Sequence, residues 1–187
     1  MRFLVMAALA LISLTAMANT AVSKQPELGK PVPALTVSDR GELQIDGDTI
    51  RYRPWSTASL RGQWTLLQYM AARPRASKVN RPVVDAVSLK KSQGVAVDVV
   101  NIINVSDVPF GATGFALAEL ESNKRRYPDS TLIGDMDQGR QGWQLAPGGS
   151  AILLIDPKGL VRFFKDGTVS QQELETILAM LPGAGER

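Results

Sequence analysis

Three apolar runs decide what this chain can fold into: Trp64 to Met70, Val95 to Ile103 and Ala151 to Ile155. Each is short and bounded by turn-forming residues. Only Gln68 interrupts the first, and the second is rich in β-branched residues. Such runs predict strands buried on both faces, which belong inside a sheet covered by helices. The helices are also written in the spacing. Val79, Val83, Ala86, Val87 and Lys90 recur at helical intervals, with Lys78, Arg81, Asp85 and Ser88 left for water. This predicts a helix from about Ser77 to Lys91. Pro82 inside it predicts a kink, because proline removes a donor and clashes with the preceding turn. Phe115 to Tyr127 reads as a helix with a charged end, stopped by Pro128. The last helix has the sharpest start, a capping box at Ser170-Gln171-Gln172-Glu173. Leu174, Ile177, Leu178 and Leu181 then share one face.

Hairpins complete the order. Leu43 to Ile45 and Thr49 to Tyr52 flank the turn-forming Asp46-Gly47-Asp48, which predicts an amino-terminal β-hairpin. Arg53 to Gly62 and Asn104 to Gly114 read as loops, Thr131 to Ile133 as a short strand, and Asp135 to Gly142 as a turn-rich loop. Asp156-Pro157-Lys158-Gly159 turns the third apolar run back into Leu160 to Phe164. Alternating strands and helices argue for an α/β fold, a mixed sheet with helices on both faces.

The amino terminus reads as an export signal. Arg2 supplies the positive end, Phe3 to Leu14 the apolar core, and Ala16-Met17-Ala18 a peptidase site. The core is too short to span a bilayer, which takes about 20 helical residues. No Cys follows it to carry a lipid. We therefore expect residues 1–18 to be removed near Ala18, leaving no stable membrane anchor. A polar arm follows over 19–33, and one domain over 34–187.

The sequence has no Cys and no His. That excludes a disulfide, thiol redox chemistry, a thiolate nucleophile, a Ser-His-Asp triad and His-ligated zinc. No catalytic residue, metal or cofactor is assigned. With 21 Lys+Arg against 18 Asp+Glu, the net charge of +3 is too small to argue for nucleic acid. Asp135-Met136-Asp137-Gln138-Gly139 resembles the front of a calcium loop, but Ala146 stands where the closing Glu belongs. An ordinary turn explains it better.

Two stretches resemble a thioredoxin-like domain: Trp64 to Val87, with its helix proline at Pro82, and Ser150 to Lys165. Pro74 and Ser77 stand where redox members carry their two cysteines, and Ser150 where the fold has its cis-proline. The whole chain resembles the YtfJ family of exported, thioredoxin-like bacterial proteins. SDRGEL at Ser38 to Leu43, LESNKRRYP at Leu120 to Pro128, SAILLID at Ser150 to Asp156 and KDG at Lys165 to Gly167 carry this likeness. It implies a periplasmic location and carries over no catalytic residues. Our own reading of such a chain is a redox-inactive module that binds a periplasmic protein or peptide or supports an envelope process.

Within that fold, Ala72 to Lys78 would precede a helix amino terminus. Arg73, Arg75 and Lys78 there would favour an anion or acidic peptide, or form a solvated basic turn. Ser77 could serve a non-redox enzyme acting on a small anionic or thiol substrate, although no His or Cys supports it. The loop Gly148-Gly149-Ser150 would offer backbone to an extended peptide, or simply lead into its strand. Trp55, Trp64 and Trp143 read as packing residues.

Overall fold

The computed structural model describes residues 25–185, so the signal at 1–18 and the beginning of the arm lie outside the described residues. Seven strands form one mixed sheet in the order β2-β1-β5-β4-β3-β6-β7. The three apolar runs become its centre. They are β3 (Trp64–Ala71), β4 (Val97–Asn104) and β6 (Ser150–Ile155), and β3 is paired on both sides, parallel to β4 and antiparallel to β6. β5 (Thr131–Asp135) extends the parallel set beyond β4, and β7 (Val161–Asp166) returns beside β6.

The amino-terminal hairpin is longer than its sequence signal. β1 (Thr36–Asp46) pairs with β2 (Thr49–Ser56) around the Gly47-Asp48 turn, and β1 also pairs with β5. The pairing slips between Val37 and Glu42. Gly41 makes the slip possible: it has φ +87°, and a Cβ there would collide with the Arg53 carbonyl. The segment expected to be a loop after Tyr52 is instead strand through Ser56, with Trp55 buried, followed by a 3-10 turn over Thr57–Leu60.

The helix expected from Ser77 to Lys91 is two helices. α1 (Pro74–Val79) starts three residues earlier, because Pro74 occupies a first-turn position where its missing N–H costs nothing. α2 (Arg81–Ser92) places Pro82 in its own first turn, so the proline begins a helix rather than kinking one. Asn80 joins them and is fully buried. Its Nδ2 donates to Ser150 Oγ (3.2 Å) and Gly167 O (2.9 Å), and its Oδ1 accepts from Val169 N (3.0 Å).

Helices cover both faces. Leu66, Val97, Ile152 and Leu154 pack with Val83 and Val87 of α2 and with Leu174 and Ile177 of α5 (Gln171–Met180). Ile103, six residues beyond Val97 and so on the same face, packs with Leu43, Leu132 and Leu120 of α3 (Thr113–Arg126). The other face joins Leu67, Tyr69, Val100, Ile133, Leu153 and Ile155 to Leu35, Trp55, Leu60 and Trp143. Trp143 closes α4 (Gln138–Trp143), a helix where the sequence had suggested a loop. The arm is sewn on by Gly29 N to Val161 O (2.8 Å) and Val161 N to Lys30 O (2.9 Å). Among the described residues, no helix is long and apolar enough to cross a membrane.

Candidate functional site

The parallel strands β3, β4 and β5 end together: Ala71 is level with Asn104, and Asn104 with Asp135. Ligands of open α/β sheets collect beyond such carboxyl ends. Here the edge is built from three loops and a polar network that runs across all of them.

Asp135 is completely buried beneath α4. Its Oδ2 accepts from the Tyr69 hydroxyl (2.7 Å) and Gly139 N (2.9 Å), and its Oδ1 from Gln138 N (3.0 Å). The carboxylate thus satisfies amides that the start of α4 leaves open. Burial pushes its pKa above the usual range, against the pull of those three hydrogen bonds. Burial, reinforced by the same carboxylate, drives the Tyr69 phenol up as well. The Tyr69 oxygen in turn accepts from Arg140 N (2.9 Å).

Asp137, two residues on, behaves differently. It has φ 86°, a conformation aspartate tolerates better than most residues. Its carboxylate accepts from Arg140 Nε (2.6 Å) and Nη2 (2.5 Å), Gln141 Nε2 (2.9 Å) and Asn104 Nδ2 (2.6 Å). The Arg140 bonds chiefly hold its pKa below the usual range.

The loop after β4 grows from this point. Val105 N donates to Asp135 O (2.9 Å), and Asn104 Oδ1 accepts from Ser106 N (3.1 Å), Ser106 Oγ (2.8 Å) and Asp107 N (3.2 Å). The loop is therefore held at its root, yet its tip is open. Phe110 is 109% exposed, and Phe115, in the first turn of α3, is 82% exposed.

The residues singled out from sequence fall into two groups. Arg73 lies just before α1 and is already engaged, with Nη2 on Asp107 Oδ1 (2.8 Å) and Nε on Asp107 O (3.1 Å). Asp107 Oδ2 accepts from Gly148 N (2.6 Å), so Arg73 and the Gly148-Gly149-Ser150 loop do meet, through a carboxylate the sequence did not flag. Gly149 O accepts from Ala71 N (3.0 Å). Ser150 is buried, its Oγ accepting from Gln68 Nε2 (3.0 Å) and Asn80 Nδ2. Arg75 and Lys78 are exposed and form no ion pair among the described residues. Ser77 sits inside α1 rather than at its start, and its Oγ donates to Pro74 O (3.0 Å). Among the described residues no base reaches that hydroxyl, and no cluster of three metal-ligating side chains exists.

Tyr69, Asn104, Asp107 and Arg140 are not flagged as site residues in the sequence, and Asp137 reads there only as part of a turn. Their one sequence signal is position, since polar residues at the carboxyl ends of predicted parallel strands mark the crevice.

A family model described as "Bacterial protein of unknown function (YtfJ_HI0045)" matches residues 27–183. The uncharacterized protein YtfJ of Escherichia coli (strain K12) is 34% identical over 162 residues, covering 86% of this chain and 88% of its own. An uncharacterized protein of Haemophilus influenzae is 27% identical over 158 residues, 84% of this chain and 86% of its own. Among solved structures, the thioredoxin domain of a thiol-disulfide oxidoreductase from Bacteroides vulgatus superposes with a TM-score of 0.53 at 13% identity, over 83% of this chain and 99% of that domain. That likeness establishes a thioredoxin-like fold.

Proposed function

The chain belongs to the YtfJ family of bacterial proteins, and we propose that it is an exported, redox-inactive thioredoxin-like module that docks a protein or peptide segment in the periplasm. With no cysteine in the sequence, the fold has no thiol to exchange. The docking edge is the carboxyl end of β3, β4 and β5.

One observation carries this reading: Phe110 stands wholly in water on a loop whose root is tied down. Burying an exposed Phe side chain is worth about 1.5–3 kcal/mol, so a folded chain normally hides it. Aromatic side chains presented on ordered backbone are the usual centres of protein interfaces, because little freedom is lost on binding. Phe115 widens the apolar surface. Arg75 and Lys78 on α1 add exposed positive charge that suits acidic residues of a partner segment. The Gly149 carbonyl and the Ser150 hydroxyl are turned inward, which suits a role in supporting the edge.

The test is a photo-crosslinking residue placed at Phe110 in the full-length protein in cells, with the same residue at the exposed Glu175 of α5 as control. A discrete protein adduct from position 110, lost when Phe115→Ser is added and absent from position 175, supports the reading. Equal, diffuse adducts at both positions reject it.

A further inference from the structure

We infer that Asn104 is the positioning residue of this edge and that it sets the 105–112 and 146–149 loops as one unit; the inference rests on the docking reading above. The Asn104 amide is fully buried and used at both ends. Its nitrogen donates to Asp137 Oδ1 at 2.6 Å, and its oxygen takes Ser106 N, Ser106 Oγ and Asp107 N. Only one orientation does both, because only the nitrogen can face a carboxylate and only the oxygen can accept three donors.

Each end has a consequence. On one side, Asp137 is clamped by Arg140 and Gln141, so the point against which Asn104 is aimed does not drift. On the other side, the oxygen fixes Asp107, whose two carboxylate oxygens then reach separate elements. Oδ1 takes the Arg73 guanidinium ahead of α1, and Oδ2 takes Gly148 N. A single side chain at the end of β4 thus aims the loop that bears Phe110. Through Asp107 the same aim passes to the turn before α1 and to the loop before β6. A partner that shifts Phe110 is therefore felt at Gly148.

Asn104→Asp tests the hub, because it puts a second carboxylate where the donor to Asp137 stood. The measurement is amide hydrogen exchange, residue by residue, in the full-length folded protein. Ser106, Asp107 and Gly148 should exchange at least about tenfold faster, the size expected for a lost charge-assisted hydrogen bond, while Leu153 in β6 is unchanged. The double variant Asn104→Asp with Asp137→Asn restores an amide-to-carboxylate pair and should bring all three amides back toward wild type. A merely structural loss would not be rescued in this way. Faster exchange at Ser106 and Asp107 with Gly148 unmoved overturns the coupling. A double variant as fast as the single overturns the role of the Asn104–Asp137 bond. Should Asn104→Asp fail to fold, Asp107→Asn tests the outer half: it keeps the shape and weakens the hold on Gly148, and an unchanged Gly148 amide again overturns the coupling. Crosslinking at Phe110 in the unaltered protein reports docking separately, so either reading can fail while the other stands.

Discussion

The Tyr69 hydroxyl and the Asp135 carboxylate meet at 2.7 Å beneath α4, joining β3 to the end of β5 and, through the amides of Gln138 and Gly139 on the same carboxylate, to the helix that closes the far face of the sheet. The same phenolic oxygen accepts from Arg140 N, and the Tyr69 ring lies edge-on to Trp143 with centroids 6.4 Å apart. Tyr69→Phe keeps the ring contact and deletes only the hydroxyl. It strips Asp135 of one donor and Arg140 N of its acceptor, which should cost about 1–3 kcal/mol. Equilibrium urea unfolding of the variant checks this. An unchanged midpoint would mean that water replaces the hydroxyl at no cost.

The acid limb of the stability profile should be a balance of opposing carboxyls. Burial keeps Asp135 protonated at pH values where the unfolded chain, near its ordinary 3.8, has released its proton. Its contribution therefore falls as pH rises above about 4. Glu173 works the other way. Ser170 N, then Lys165, holds its pKa down to about 2 against an ordinary 4.5. It stays ionised in the fold while the unfolded chain takes up a proton, so its contribution is complete above 4.5 and is lost as pH falls toward 2. Glu173→Gln should flatten the loss of stability between 4.5 and 2, and Asp135→Asn should steepen the fall in stability as pH drops toward about 4. Urea midpoints from pH 2.5 to 6 decide, and parallel profiles for both variants and wild type would refute the assignment.

The parts of the fold legible in sequence are those whose causes are local. The capping box at Ser170 and Glu173 forms as written, with Glu173 N on Ser170 Oγ (3.2 Å) and Ser170 N on Glu173 Oε2 (2.8 Å). The apolar runs become strands because composition alone demands burial on both faces. The break at Asn80 was illegible, since its partners Ser150, Gly167 and Val169 lie 70 to 89 residues away. The site failed in sequence for the same reason. Arg73 counts as a free cation until Asp107, 34 residues later, takes it. Asp135 and Asp137 look like turn residues until Tyr69 and Asn104 arrive from other strands. Pro74 was the exception: a proline opening a helix is a local signal, and it marks the start of α1 better than the cysteine spacing of the fold does.

Gly139 sets α4 tightly against Tyr69 of β3. It is not among the glycines with positive φ, so the constraint is room: a Cβ would run into Tyr69 Cε2 and crowd Asp135 Oδ2 at 3.3 Å. Gly139→Ala should therefore destabilise by about 1–3 kcal/mol despite the better helix propensity of alanine. The discriminating measurement is a thermal melt beside Gly142→Ala in the same helix, where the nearest atom to a new Cβ is Leu35 Cδ1 at 3.7 Å. A melting temperature lowered at 139 and kept at 142 bears out the close approach.

Ser77 offers a direct test of the enzymatic alternative. Its hydroxyl is spent on Pro74 O one turn back, and an unassisted serine is a poor nucleophile. Ser77→Ala should leave stability within about 0.5 kcal/mol and crosslinking from position 110 unchanged. Loss of the adduct with the fold intact would move the site from the Phe110 loop to α1.

Lys124 is the charged residue most at risk from a conservative-looking change. It lies near the end of α3 and is only 7% exposed. Its Nζ donates to Pro128 O (2.7 Å) and Ser130 O (2.6 Å), closing the turn that delivers the chain into β5. That strand ends at Asp135, so an error at its beginning reaches the site. Lys124→Met preserves the stem and the volume but leaves two carbonyls without their donor. The expected loss is about 2–4 kcal/mol. In a chain of this length that corresponds to a melting temperature lower by roughly 5–15 °C. Arg126→Met, two residues on and exposed, is the control and should shift stability by less than about 0.5 kcal/mol. Calorimetry of the two variants separates a buried capping ammonium from surface charge. Equal melting temperatures would mean that solvent reaches both carbonyls and that Lys124 is dispensable.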